Sequence, residues 1–70
     1  MSISKSVGKG GGNEKKDVRY VQVLLNFSRQ NNGKPKITVD GLVGPITIAA
    51  IEDFQRVKTG IVDGRIDPLG

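Results

Sequence analysis

The sequence predicts a small all-α fold built on two amphipathic helices. Three observations carry this: apolar residues recur at helical spacing over two stretches, Asn, Gly and Pro punctuate the chain around them, and one turn sequence occurs twice. A chain of 70 residues buries only about 60% of the surface that its unfolded form exposes, so its stability must be marginal.

Residues 1–16 read MSISKSVGKGGGNEKK, with Ile3 and Val7 the only branched apolar residues. Two such side chains are too few to offset the entropy of ordering the segment, so it is expected to be a flexible Gly/Ser/Lys tail ahead of a domain spanning 17–70. Its GKGGG lacks the GxxxxGK[ST] spacing of a phosphate loop and follows no strand.

Asp17 is placed to N-cap a helix running to about Gln30, which Asn31, Asn32 and Gly33 would end. On a helical wheel Phe27, Tyr20, Leu24, Val21, Leu25 and Val18 fill an arc of about 180°, and Arg29, Gln22, Asn26, Arg19 and Gln30 fill the other side. So wide an apolar arc predicts packing against more than one neighbour.

After NNGKPK, the dipeptides Asp40-Gly41 and Gly44-Pro45 are turn signals, and Pro45 suits the first position of a second helix running to about Lys58. Here Ile46, Val57, Ala50, Phe54, Thr47 and Ile51 share an arc of about 140°. Ile48 falls between Gln55 and Glu52, and is expected to be exposed or covered by another chain.

Val39-Asp40-Gly41-Leu42-Val43-Gly44-Pro45 is echoed by Val62-Asp63-Gly64-Arg65-Ile66-Asp67-Pro68, giving two copies of VDGx[VI]xP. In each copy the Asp carboxylate can accept from nearby backbone N–H groups and the Gly can take positive φ at no steric cost. The branched residue two places after each Gly should point inward.

Composition narrows function. With neither Cys nor His, the chain lacks disulfides, thiolate metal sites, the commonest zinc ligand and the default general base. A net charge of +4 favours polyanions such as wall carboxylates, teichoic phosphates or nucleic acid, and its sign does not choose among them. No apolar run approaches the roughly 20 residues that span a bilayer, so no membrane role is expected. Met1 to Lys16 has no apolar central region, hence no signal peptide; a protein made in the cytoplasm would reach an outer target through lysis, a secretion machine or a parent chain.

These residues resemble the peptidoglycan-binding domain family, whose pattern is a leucine/glutamine helix, a VDGxxGPxTxxAxxxFQ block and a GxxxDGxxGP turn. The first is matched loosely by Asp17-Val18, Val21-Gln22 and Leu25-Asn26; the second closely by Val39, Asp40, Gly41, Gly44, Pro45, Thr47, Ala50, Phe54 and Gln55. The third is matched by Gly60, Asp63, Gly64 and Pro68, with Asp67 where the family has glycine. The resemblance covers residues 17–68 and implies a small orthogonal helical bundle that recognises wall glycan and stem peptide through a shallow surface near its turns. Such a module commonly accompanies a hydrolase. Family members continue into a third helix where this chain stops at Leu69-Gly70, so either a longer parent or a partner chain is expected to complete the packing.

Within that frame Asp40, Gly41, Asp63 and Gly64 are read as turn architecture, Gly44, Pro45 and Thr47 as helix-start residues, and Phe54 as core. Arg19, Gln22, Asn26 and Arg65 are the ligand candidates, since Arg pairs with stem-peptide carboxylates and amides pair with peptide groups or sugar hydroxyls. No catalytic residue is expected: Asp17 reads as a cap, Asp40 and Asp63 as turn residues, Glu52 and Asp53 as a solvated edge, leaving no carboxylate in an apolar setting that would raise its pKa. The DxDxDG calcium ladder is absent, so no metal and no cofactor are expected. Asn26-Phe27-Ser28 matches a glycosylation sequon inside a predicted helix, where it carries little meaning. The predicted function is non-catalytic binding of cell-wall peptidoglycan, targeting an attached or partner activity such as a hydrolase. The alternative is a structural or protein-interaction module of a phage or secretion particle. Nucleic-acid binding has only charge behind it, because the three aromatics, Tyr20, Phe27 and Phe54, sit on apolar faces.

Overall fold

The structure is a computed structural model and describes residues 3–68. The order of elements is β1 (Val7–Gly8), α1 (Lys15–Asn31), α2 (Pro45–Lys58) and β2 (Arg65–Ile66). Helices dominate, as the sequence predicts. The addition is a two-stranded antiparallel sheet with Val7 opposite Ile66 and Gly8 opposite Arg65. No helix among the described residues is long and apolar enough to cross a membrane.

The N-terminal stretch is not a free tail. Ile3 and Val7 are buried in one cluster with Val18, Val21, Leu25, Ile37, Ala50 and Ile51. Burial of two branched side chains does not order fourteen-odd residues unaided; the polar backbone of the segment is also satisfied. The Asn13 side chain accepts from Gly8 N at 2.8 Å and donates to Gly8 O at 3.1 Å, Asn13 N donates to Ser6 O at 3.0 Å, and Lys9 N donates to Gly64 O at 3.0 Å. Residues 3–16 therefore pack as part of the same body as 17–68, and the division at residue 16 is corrected.

Asp17 is not the N-cap. Helix α1 begins at Lys15 after Glu14, which places Asp17 in the first turn. There its carboxylate is buried and accepts from Ser4 N at 3.1 Å and Lys5 N at 3.0 Å, so it holds the N-terminal segment down while facing the positive end of the helix dipole. The other end of α1 closes as predicted: Gly33 takes φ +70° and Lys34 N donates to Arg29 O at 2.8 Å.

Helix α2 has the predicted bounds, with Gly44 extended at the N-cap and Pro45 at the first helical position. Both helices, however, are turned about their axes from the predicted phase. On α1 the buried residues are Asp17, Val18, Val21, Gln22 and Leu25, while Leu24 and Phe27 are 47% and 63% exposed. On α2 they are Thr47, Ala50, Ile51 and Gln55, while Ile46 and Val57 are exposed. Phe54 is only partly buried against the core. Ile48, expected outside, is half-buried, and the Gly64 turn lies over its Cγ2. The common cause is a glutamine on each helix whose amide is drawn inward by a turn.

Candidate binding surface

The two copies of VDGx[VI]xP are held by two glutamines in the same way. Gln22 Oε1 accepts from Asp40 N at 3.1 Å and Gly41 N at 3.0 Å, and its Nε2 donates to Asp40 Oδ1 at 3.0 Å and Leu42 O at 3.1 Å. Gln55 Oε1 accepts from Asp63 N at 3.2 Å and Gly64 N at 3.0 Å, and its Nε2 donates to Asp63 Oδ1 at 2.8 Å and Arg65 O at 2.9 Å. In each turn the Asp closes the loop by accepting from the N–H two residues on, Leu42 at 2.9 Å and Arg65 at 3.0 Å. Only a planar amide, with an acceptor and a two-proton donor side by side, fits both the N–H pair and the carbonyl of such a turn. Gly41 and Gly64 stand at φ +75° and +74°, as their place after Asp predicts. Val43 and Ile66 pack partly buried against the core, which is the inward direction expected of them.

The same contacts set the electrostatics. The Leu42 N–H, then the Gln22 amide, hold the Asp40 carboxyl below the usual value of 3.8, with Lys15 adding to the effect. The Gln55 amide, then the Arg65 N–H, lower Asp63 in the same sense. Both are thus ionised scaffold groups, unlike the raised carboxyl of a general acid. Among the described residues no three acidic side chains converge as a metal-ligand set.

The four sequence-predicted contact residues are scattered. Gln22 is 0% exposed and belongs to the first clasp, where Thr47 Oγ1 also accepts from its Nε2 at 3.1 Å; the expectation that it lies on the outer face of the helix is corrected. Asn26 is half-buried and clamps one residue from both sides, donating to Ile37 O at 2.9 Å and accepting from Ile37 N at 2.8 Å. Arg65 is exposed and pairs through Nε with Asp67 at 2.9 Å. Asp67, standing where the family has glycine, also accepts from Ser6 Oγ at 2.7 Å and so ties β2 to the N-terminal segment. Arg19 is exposed on the outer side of α1, on a surface that it shares with Val39, the first residue of the first repeat.

Two of the shallow surfaces open among the described residues bear on binding. One sits at the first turn and the start of α2, lined by Thr38, Asp40, Leu42, Val43, Gly44, Pro45, Ile46 and Thr47, with Leu42 64% and Ile46 73% exposed. The other runs along the outer side of α1 beside Val39. The scaffold residues read from the sequence thus frame the first surface, while its projecting side chains, Leu42 and Ile46, were not singled out. Leu42 occupies the unspecified position of the repeat, which Arg65 fills in the second copy, and apolarity at a turn apex was the available signal.

A family model described as "Putative peptidoglycan binding domain" matches residues 14–69. No curated protein and no solved structure matches the chain.

Proposed function

This chain belongs to the peptidoglycan-binding domain family, and from that premise we propose that it docks on bacterial cell wall without cutting it, carrying an attached or partner activity to the wall. A hydrolase or a particle protein is the activity so targeted, delivered by lysis, a secretion machine or a parent chain. The family match is the observation that carries the reading.

The turn surface at the start of α2 is the site we assign to the ligand. Leu42, Pro45 and Ile46 offer apolar area to the methyl groups of stem peptides, while Thr38 and Asp40 offer polar contacts at its edge. Gln22 holds this loop rigid from below, so little entropy is lost on binding. Because the surface is shallow, dissociation constants of about 1 μM to 1 mM are expected. Hydrolysis is not expected, since Asp17, Asp40 and Asp63 are each occupied by backbone N–H groups and Glu52, Asp53 and Asp67 by cations. The seventh carboxylate, Glu14, is exposed at the N-cap of α1, without the apolar setting or the paired carboxylate that the chemistry needs.

Titration of the labelled protein with soluble muropeptides, followed by amide NMR, tests the assignment. Shifts should concentrate at residues 38–47, and Ile46→Glu should weaken binding at least about tenfold while leaving the thermal midpoint unchanged, because Ile46 is exposed. Shifts confined to other regions, or none with a folded sample, would overturn it.

A further inference from the structure

The outer side of α1 is apolar where a helix in so small a protein has least reason to be. Val23, Leu24 and Phe27 project beside Val39, all of them substantially exposed. Leu24 and Phe27 are one turn apart, as are Val23 and Phe27, and with the half-buried Tyr20, which lines the same surface, the patch extends roughly 10 Å along the helix. Its flanks are cationic: Lys16 and Arg19 line one end, and Lys36 lies with Val23 and Phe27 at the other. No carboxylate lines either stretch.

The rest of the surface sharpens this contrast. Lys9, Arg29, Lys34, Arg56 and Arg65 are all paired with Glu52, Asp53 or Asp67. Lys16, Arg19 and Lys36 make no ion pair among the described residues. Lys5, Lys15 and Lys58 are likewise without an ion pair among the described residues, so three of the six unpaired cations gather around this apolar patch.

We propose that this face of α1 is a second docking surface, separate from the wall-binding turn, and that its occupant is an amphipathic helix of another protein whose apolar stripe is flanked by Asp or Glu. An apolar stripe at one-turn spacing is what a helix laid along it reads. Carboxylates on the incoming helix meet cations at both ends of the stripe, which fixes its register and speeds encounter. A second copy of this chain does not satisfy the same surface. Antiparallel pairing of two such faces sets Lys16 and Arg19 of one against Lys36 of the other, and parallel pairing sets each cation against itself, so like charges meet either way. Wall stem peptides offer methyl groups, too small to cover Leu24 and Phe27.

The probe is a synthetic helical peptide with leucines at one-turn spacing and glutamates along both flanks, compared with the same peptide carrying lysines. The intact protein should bind the glutamate form at least about tenfold more tightly, and this preference should shrink with salt as the ion pairs are screened. Phe27→Ser should abolish binding of the glutamate peptide without lowering the thermal midpoint, and Lys16→Glu with Arg19→Glu should reverse the charge preference. Retention on sacculi should be unaffected by either change, which separates this surface from the turn site. Equal binding of both peptides, or of neither, would overturn the proposal. So would a concentration-dependent dimer in sedimentation velocity that Phe27→Ser dissolves, which would assign the face to a second copy, or loss of sacculus retention in Phe27→Ser, which would assign it to the wall.

Discussion

Replacing Gln22 by Ala removes the amide around which the first turn is wrapped. The side chain is 0% exposed, so its loss leaves a void as well as unpaired groups. Gly41 N, which is buried, loses its acceptor, while Asp40 N and Leu42 O lie at the exposed side of the loop and can be partly rehydrated. Counting about 1–2 kcal/mol for the buried N–H and a similar amount for the void and the other groups gives a loss of about 2–4 kcal/mol. A chain of 70 residues has roughly 4–10 kcal/mol in all, at 0.05–0.15 kcal/mol per residue. The thermal midpoint should therefore fall by about 10–25 °C. Circular dichroism melts and urea titrations read this directly, with Arg19→Ala, expected within about 0.5 kcal/mol of the parent, as control. Gln22→Glu separates geometry from volume. It keeps one acceptor but turns the Nε2 donor into a second acceptor facing Asp40 Oδ1 and Leu42 O, so it should also destabilise at neutral pH and recover in part when protonated near pH 4. A loss under about 1 kcal/mol for Gln22→Ala, or parental stability for Gln22→Glu at pH 7, would refute the clasp.

The remaining predictions concern the elements that the clasps support. Val7→Ala should cost about 2 kcal/mol in the same melts, because Val7 is 0% exposed in the core; a free N-terminal tail would instead show no change. Gly8→Ala should be at least as costly, since a Cβ there would collide with the backbone carbonyl of Gly64 across the sheet; a neutral result would show that β1 and β2 do not pair. Because Asp40 and Asp63 have lowered pKa values when folded, the unfolded chain takes up protons first. Their contribution is complete above pH 3.8, the unfolded value, and is lost as pH falls through the lower folded value. The midpoint should thus drop as the pH falls below about 4, and less so in a variant carrying Asp40→Asn and Asp63→Asn; an acid-independent parent would contradict the assignment.

The two helices, the end of α1, the bounds of α2 and the repeated turns were legible in the sequence because each rests on local chemistry. Pro45 fixes its own φ, Gly33 and the Gly after each Asp take the left-handed backbone, and apolar residues at helical spacing mark a helix. What was not legible follows from tertiary demand. Gln22 and Gln55 read as polar positions of amphipathic helices, yet a turn that needs a bidentate amide draws each inward and rotates its helix by a fraction of a turn. The rotation of α2 leaves Ile48 half-buried, and that of α1 leaves Phe27 exposed. The repeat itself held a clue, since two equal turns call for two equal partners, and a glutamine stands on the helix before each. The glycines of Gly8–Gly12 misled for a different reason: composition cannot distinguish a glycine that frees the chain from one that lets two backbones meet, and Gly8 is of the second kind.

Retention of the folded chain on intact sacculi from several bacteria, with the turbidity of the suspension followed in the same tubes, tests the wall-docking account most directly. The account predicts that the protein co-sediments with at least one wall type, that Ile46→Glu is released into the supernatant, and that turbidity stays constant throughout. A folded protein that remains in the supernatant with every wall would contradict docking, and clearing of the suspension would contradict docking without cutting.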